Sequence, residues 1–173
     1  MMNSIITPSI TEDRGDKSYL ENTFSWVDNQ FAGSSCPGMN SPMEVDAEFL
    51  YGKGIKGVVS LNEAELQWNS LLNFSIKHIH VPVTDYRPPS VQQMQIIVDF
   101  IESLGKSMPI LIHCNAGMGR TGTVLASLLV WKHGLIATEA IAKVRKLRRG
   151  SVQTYKQEDG VTAWEHYLSL PKC

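Results

Sequence analysis

A cysteine and an arginine stand in the spacing Cys-x5-Arg within a glycine-rich turn, at Cys114 and Arg120. The apolar run 109–113 before the turn is typical of a buried parallel strand, and a helical pattern begins directly after it. A cysteine just before a helix N-terminus meets the positive end of the helix dipole and a set of unpaired backbone N–H groups, which together favour the thiolate. The same N–H groups form a concave nest that suits the oxygens of a phosphoryl group. The turn therefore predicts a thiolate that attacks a bound phosphate ester.

The residues around this pair are suited to hold the phosphoryl group. No proline occurs in the turn, so every residue there can donate its backbone N–H, and the glycines permit tight curvature. Arg120 can hold two phosphate oxygens in its planar fork, and Thr121 can donate a hydrogen bond to the Cys114 sulfur. The predicted phosphate-binding residues are Asn115, Ala116, Gly117, Met118, Gly119 and Arg120.

The motif His-Cys-x-x-Gly-x-x-Arg-Thr-Gly, from His113 to Gly122, resembles the signature of the protein tyrosine phosphatase superfamily. Over about residues 23–168 the chain is similar to the small atypical dual-specificity phosphatases, and most to the VHZ-type single-domain enzymes; the segments 24–27, 59–61 and 150–158 resemble their flanking parts. The resemblance implies hydrolysis of phosphotyrosine, and also of phosphoserine or phosphothreonine, through a phosphocysteine on Cys114. It requires no metal and no organic cofactor.

A proton donor for the leaving group is the next requirement of this chemistry. In the superfamily an aspartic acid on a loop upstream of the nucleophile supplies the proton, and Asp85 matches that position, at the end of a predicted strand. Close relatives tend to have proline directly before this acid, whereas this chain has Thr84. The alternative is an ordinary loop or capping aspartate, which turns favour on local grounds.

Two further residues have supporting roles with alternatives that the sequence leaves open. His113 either organises the turn and tunes the nucleophile, or is a hydrogen-bonded histidine at a strand end. Gln157 resembles the glutamine that positions the hydrolytic water in related phosphatases, but it also stands at capping-box spacing from Thr154. His78 and His80 lack a third ligand nearby, so no metal site is predicted.

Charge patterning separates the possible substrates. The turn 115–119 carries no charged side chain, which favours a phosphoprotein or phosphopeptide over a phosphoinositide. The basic cluster at 143–149 is interpreted as a solvated helix face, with attraction of acidic substrates as the alternative. An RNA 5′-phosphatase and a phosphate-binding module without turnover are the remaining alternatives. The joint presence of Cys114 and Asp85 favours turnover, and no nucleic-acid partner is expected.

The elements that position these residues alternate short β-rich runs with longer helical patterns. Strands are predicted over 23–27, 55–61, 74–83 and 109–113, and helices over 42–51, 91–104, 121–133, 138–147 and from 155 onward. The helix starts are marked by capping boxes that begin at Ser41, Ser90 and Thr154. This alternation favours an α/β class with a central, mostly parallel twisted sheet flanked by helices, as in a dual-specificity-phosphatase-like single domain.

The composition limits the protein to an ordinary globular class. The chain has 173 residues and a formal net charge of −1, which suits one domain and gives no global attraction to nucleic acid or acidic membranes. Residues 1–18 are predicted to be a flexible N-terminal tail without a signal peptide, and residues 19–173 the catalytic domain. The three cysteines lack zinc or Cys-x-x-Cys spacing. We therefore expect reduced thiols, a cytosolic location that can include the nucleus, a monomer and no membrane partner.

Overall fold

A computed structural model describes residues 17–65, 68–105 and 107–171. These residues contain a 3-10 turn, five strands and six helices, which alternate along the chain as predicted for the α/β class. In chain order they are the 3-10 turn Tyr19–Asn22, β1 Ser25–Trp26, β2 Phe31–Ser34, α1 Met43–Gly52, β3 Gly57–Ser60, α2 Asn69–Leu72, β4 Lys77–His80, α3 Val91–Leu104, β5 Ile110–His113, α4 Gly119–His133, α5 Ala137–Leu147 and α6 Tyr155–Ser169.

The five strands form one sheet in the order β1-β2-β5-β3-β4. β1 pairs with β2 antiparallel, whereas β2, β5, β3 and β4 are parallel neighbours. In the register, Leu111 lies opposite Ala32 on one side and Val58 on the other. The predicted mostly parallel sheet is confirmed, and β5 is its central strand, so the turn that follows β5 lies at the middle of the carboxyl edge.

Alternation along β5 divides the core between the two faces of the sheet. Ile110 and Ile112 belong to a cluster with apolar residues of α3, α4, α5 and α6. Leu111 belongs to a second cluster with apolar residues of α1 and α2. All three side chains are fully buried, as expected for a parallel strand covered on both faces. The end of β5 is therefore fixed by packing from both sides.

The helices next to the site begin and end at or near the residues that capping patterns and glycines in the sequence predicted. The capping box of Ser90 and Gln93 starts α3, and that of Thr154 and Gln157 starts α6. Gly134 ends α4 in the left-handed conformation, with φ of 64°. The α4 helix starts at Gly119, two residues before the predicted start, because the turn itself leads into its first turn.

Three predicted features differ from the structure. Ser41 does not cap α1: its hydroxyl donates to Asp46 at 2.6 Å, and α1 starts after Pro42 without a side-chain cap. Only two residues of the strand expected at 23–27 form a strand, β1. Its antiparallel partner β2 was not predicted. β3, β4 and β5 are each four residues long, shorter than their apolar runs, because pairing and not hydrophobicity sets their ends.

The predicted N-terminal tail lies mostly outside the described residues, which begin at Lys17. Ser18 belongs to the fold, since its buried hydroxyl donates to Asp46 at 2.6 Å and accepts from Leu20 N at 3.1 Å. In the described part of the chain, no helix is both long and apolar enough to cross a membrane.

Candidate active site

Cys114 follows the last residue of the central strand β5 and is 3% exposed. Five residues later α4 begins, at Gly119, and most of that helix is buried among the other helices. The first backbone hydrogen bond of this segment that enters α4 runs from Gly122 N to Met118 O, at 2.8 Å. The N–H groups before it precede the helical hydrogen-bond ladder, so they can donate to an anion beside Cys114.

The turn depends on glycine at one position above all. Gly117 has φ of 76°, in the left-handed region, and a Cβ there would overlap the carbonyl of Ser34 at the end of β2. The neighbouring strand therefore touches the turn directly. Asn115 in the same turn accepts two further hydrogen bonds. Cys36 N donates to Asn115 O at 3.0 Å, and Asn62 Nδ2 donates to Asn115 Oδ1.

The Cys114 sulfur has a hydroxyl donor. Thr121 Oγ1 lies 3.1 Å from Cys114 Sγ, and Thr121 is fully buried in the first turn of α4. A buried donor at this distance stabilises a thiolate better than it stabilises a thiol, because hydrogen bonds to charged acceptors are stronger. The geometry matches the role predicted for Thr121.

Arg120 is 2% exposed and is held from behind by the backbone. Its Nη1 donates to Val83 O at 3.0 Å and to Leu61 O at 3.3 Å, both of which follow parallel strands at the same sheet edge. Its Nε makes no hydrogen bond among the described residues. With Nη1 held in this way, Nε remains for a charged partner on the opposite side of the guanidinium.

Asp85 supplies that partner. Its Oδ1 lies 3.2 Å from Arg120 Nε as an ion pair without the geometry of a hydrogen bond, and its side chain is 54% exposed. The same Oδ1 accepts from Tyr86 N at 3.0 Å. The structure thus pairs Asp85 with the residue five positions after Cys114 in the sequence motif, although the two segments lie on different loops.

Two hydrogen bonds hold the segment around the acid loop, residues 84–89. Gln93 Nε2 donates to Pro82 O at 2.6 Å before the loop, and Thr154 Oγ1 donates to Tyr86 O at 3.1 Å within it. Tyr86 has φ of 58°, a conformation that costs a non-glycine residue about 1–3 kcal/mol and persists where the surroundings hold it.

His113 is fully buried and belongs to a hydrogen-bonded chain behind Cys114. Its Nε2 lies 2.6 Å from Ser60 Oγ, and the same hydroxyl lies 2.9 Å from His78 Nε2. Burial lowers the pKa of His113 to about 3, and nearby positive charges add to this while a hydrogen bond to the Cys114 carbonyl opposes it. A neutral imidazole between Ser60 and the Cys114 backbone supports a role in organising the turn.

Gln157 completes the capping box of α6, and its role toward the hydrolytic water stays a prediction. Its Oε1 accepts from Gln153 N at 2.7 Å and from Thr154 N at 3.3 Å, which completes the capping box of α6. Its Nε2 is buried and has no hydrogen-bond partner among the described residues. A Cβ on Gly119 would lie 2.9 Å from that Nε2, so the amide is next to the start of α4. One end of the side chain caps a helix and the other faces the phosphate-binding turn.

Arg148 was missed as a site residue, and its assignment to a solvated basic face is wrong. It is 9% exposed, and its Nη2 donates to Gly117 O at 2.7 Å. Its Nη1 donates to Gly33 O at 2.6 Å and also to Thr23 O and Ser25 Oγ. Burial lowers the pKa of Arg148 to about 10, and the charge of Cys114 acts in the opposite direction. Its partners are far away in the chain, so local sequence carried no signal for them.

Cys36 lies on the other side of the same turn. Burial raises the pKa of the Cys36 thiol to about 11, with a smaller contribution from Cys114 and an opposing hydrogen bond from Asn62. Cys36 is therefore a protonated thiol near neutral pH. In the described part of the chain no three His, Cys, Asp or Glu side chains are grouped to hold a metal ion.

Comparisons with known proteins identify the family to which the chain is similar. The family model described as "Polymorphic toxin system, DSP-PTPase phosphatase" matches residues 32–134, which include Asp85, the turn and all of α4. The tyrosine-protein phosphatase CDC14 of Candida albicans is 28% identical over 169 residues. That match covers 90% of this chain but 30% of the Candida protein, so the chain spans less than a third of the length of this relative.

Two further comparisons concern a plant relative and a solved structure. The phosphatidylglycerophosphate phosphatase PTPMT2 of Arabidopsis thaliana is 32% identical over 114 residues, which cover 62% of this chain and 49% of that protein. Among solved structures, Tk-PTP in its active form has a TM-score of 0.73 and 28% identity, covering 83% of this chain and 97% of that chain.

Proposed function

Because the chain belongs to the DSP-PTPase phosphatase family, as a small atypical dual-specificity phosphatase of the protein tyrosine phosphatase superfamily, we propose that it dephosphorylates proteins through a phosphocysteine on Cys114. One observation carries the proposal. The sulfur of Cys114 has the Thr121 hydroxyl at 3.1 Å, while the adjacent Arg120 has the Asp85 carboxylate at 3.2 Å. Nucleophile, cation and proton donor therefore meet at one sheet edge.

In the first step the Cys114 thiolate attacks phosphorus in line with the leaving oxygen. An S–P bond forms and the P–O bond to the substrate breaks. Asp85, which takes up a proton from solvent when it leaves Arg120, gives that proton to the departing oxygen. Arg120 and the N–H groups of residues 115–120 hold the three equatorial oxygens, where charge is distributed in the transition state. Nη1 of Arg120 is already held by two carbonyls, so its guanidinium is oriented before substrate binds.

In the second step water attacks the phosphocysteine. Asp85, now a carboxylate, takes a proton from the water, the S–P bond breaks and the thiolate leaves with the Thr121 hydroxyl as donor. Nε2 of Gln157 lies beside Gly119 and makes no hydrogen bond within the described part of the chain, so it can donate to that water. Phosphate is released and the enzyme returns to its starting state.

The choice of protein substrates rests on the charge of the turn. Residues 115–119 bring no charged side chain toward a substrate that carries several phosphates. The similarity to PTPMT2 makes a phospholipid monoester the main alternative, because that relative is named for phosphatidylglycerophosphate. A phosphate-binding module without turnover is disfavoured, since such a module has no use for Asp85 beside Arg120.

The mechanism is tested by acid quenching of the enzyme with a 32P-labelled phosphotyrosine peptide. We expect label to remain on the wild-type protein and on Cys36→Ser, and none on Cys114→Ser, which should also lose turnover. Cys36→Ser is the matched control because it removes a buried thiol from the other side of the same turn. Full turnover by Cys114→Ser would contradict the phosphocysteine.

The substrate class needs a separate measurement. Turnover of phosphotyrosine peptides, phosphothreonine peptides, phosphatidylglycerophosphate in mixed micelles, phosphoinositides and triphosphorylated RNA should be compared at equal enzyme concentration. We expect the largest kcat/KM with phosphotyrosine peptides. Selective turnover of a lipid or of RNA would replace the proposed substrate and leave the chemistry on Cys114 intact.

A further inference from the structure

Gly160 stands in the interior of the 15-residue helix α6, where glycine is less favourable than alanine. The structure shows what the missing side chain permits. A Cβ on Gly160 would overlap Cβ of Pro88 and would lie 2.8 Å from its Cγ. The ring of Pro88 therefore rests directly on the backbone of α6. By contrast, a Cβ on Gly52 at the end of α1 would meet no atom within 4 Å.

Pro88 belongs to the loop that carries Asp85, and its position limits the rest of that loop. The Pro88-Pro89 pair restricts the backbone on both sides of the contact. Pro89 is buried and leads into Ser90, the N-cap of α3. The backbone of the downstream half of the loop therefore has little conformational freedom while Pro88 packs on Gly160.

The same helix α6 also contacts the loop nearer to Asp85. Thr154, its N-cap, donates to Tyr86 O at 3.1 Å, next to the acid itself. Gln157, three residues before Gly160 on the same helix, has its Nε2 beside Gly119 at the start of α4. A single rigid element therefore touches the acid loop at Tyr86 and Pro88 and the phosphate-binding turn at Gly119.

We propose, resting on the function given above, that Gly160 is a positioning residue for the general acid. Because Gly160 has no side chain, Pro88 packs directly against its backbone. This contact sets the distance between the Asp85 carboxylate and the oxygen that leaves from phosphorus. Gly160 does not contact the reacting atoms. It acts through the loop, and proton transfer is the step that depends on it, because proton transfer requires hydrogen-bond distance whereas thiolate attack does not involve Asp85.

A side chain at position 160 should displace the loop and leave the domain folded. Pro88 and Gly160 both line a groove of about 360 Å³, together with Arg87, Lys156 and Asp159. The ring can therefore move toward open space when a methyl group is added. The hydrogen bonds from Arg120 to Leu61 and Val83, and that from Thr121 to Cys114, lie outside the loop and should stay as they are.

The test compares wild type with Gly160→Ala, Asp85→Asn, the double variant and the control Gly52→Ala. Substrates are 4-nitrophenyl phosphate, whose leaving group needs little protonation, and phenyl phosphate, whose leaving group needs much more. Gly160→Ala should lower kcat/KM, which reports the step that expels the leaving group, on the order of tenfold for phenyl phosphate and only about twofold for 4-nitrophenyl phosphate, as expected for partial loss of general acid catalysis. In the Asp85→Asn background the added methyl group should cause no further loss, and Gly52→Ala should match wild type.

Pro88→Ala provides a second variant in the event that Gly160→Ala does not fold. It removes most of the ring and the backbone restraint from the other side of the contact, and should give the same dependence on leaving group. Equal losses of kcat/KM on both substrates, or a further loss in the Asp85→Asn background, would overturn the positioning role. If Asp85→Asn itself has no greater effect on phenyl phosphate than on 4-nitrophenyl phosphate, the acid assignment fails and the role of Gly160 fails with it. If only Asp85→Asn shows the dependence, the acid stands and Gly160 alone is excluded.

Discussion

Oδ1 of Asp85 lies 3.2 Å from Nε of Arg120, so the proposed proton donor and the proposed phosphate clamp form an ion pair with each other. A phosphate oxygen held by the same Nε must compete with this carboxylate. The Asp85 side chain is 54% exposed and the Arg120 side chain is 2% exposed. The exposed partner is therefore the one that can move away when phosphate binds, while the buried guanidinium stays in place.

Asp85→Asn should separate phosphate binding from turnover. Removal of the competing carboxylate should strengthen inhibition by inorganic phosphate about two- to fivefold, the range expected for a partly exposed ion pair. Turnover of phenyl phosphate should fall about 10²- to 10⁴-fold, because the acid is lost. Inhibition constants and kcat measured on the same preparation check both effects. Weaker inhibition by phosphate would show that Asp85 does not compete for Arg120.

Gln157 can be tested for its two roles separately. Gln157→Glu keeps an acceptor for the N–H groups of Gln153 and Thr154 but loses the Nε2 donor. We expect near-normal thermal stability, slow hydrolysis of the phosphocysteine and a larger burst of product in rapid-quench experiments. Gln157→Ala should in addition lose about 1 kcal/mol of stability with the capping box. A Gln157→Glu variant with normal steady-state turnover and no change in the burst would leave capping as the only role.

His113, which is buried, and His78, which is partly buried, should make the fold sensitive to acid. Burial is the main cause that lowers the pKa of His113 to about 3 and of His78 to about 4, from 6.5. The unfolded chain binds these protons as pH falls below about 6.5, whereas the native state binds them only near pH 4 and 3. Their contribution to stability is therefore fully present above about pH 6.5 and is lost progressively as pH falls toward those values.

Urea unfolding at pH 7.5 and pH 4.5 checks this expectation. His113 alone should change the unfolding free energy by at most about 1.4 kcal/mol per pH unit within the interval. His78→Asn should reduce the difference between the two pH values, because one of the two groups no longer titrates. The same pH difference in wild type and His78→Asn would argue against a role for His78.

Arg148→Met should damage both stability and phosphate binding. The guanidinium donates to the carbonyls of Gly33 and Gly117, and its loss leaves buried acceptors unpaired. Hydrogen bonds from a charged donor contribute about 1.5–3 kcal/mol, so we expect a loss of at least about 3 kcal/mol and a higher KM with aryl phosphates. The exposed neighbour Arg149 gives the matched control, and Arg149→Met should change unfolding by less than about 0.5 kcal/mol. Similar effects of the two variants in urea unfolding and steady-state kinetics would contradict a role of Arg148 in holding Gly33 and Gly117 together.

The individual elements that the sequence predicted correctly depend on neighbours in the chain. The capping boxes at Ser90 and Thr154 join residues three apart, and the strand, turn and helix around Cys114 form one continuous segment. The capping box at Ser41 had the same local pattern but failed, because Asp46 offers its hydroxyl a carboxylate in the fold. A local pattern predicts an element only where no tertiary partner competes for the same side chain.

The sequence by itself determined the residues on which the proposed chemistry depends: a cysteine before a helix, an arginine five residues later, glycines for the turn and an aspartate upstream. Only the tertiary structure decided how these parts meet. It paired Asp85 with Arg120 and hydrogen-bonded Arg148 to the carbonyl of Gly117. It also hydrogen-bonded His113 to Ser60 and packed Pro88 against Gly160. Each of these contacts joins residues distant in the chain that the parallel sheet and the packing of α6 bring to one edge. Their geometry depends on packing across the whole domain, which no local window of sequence contains.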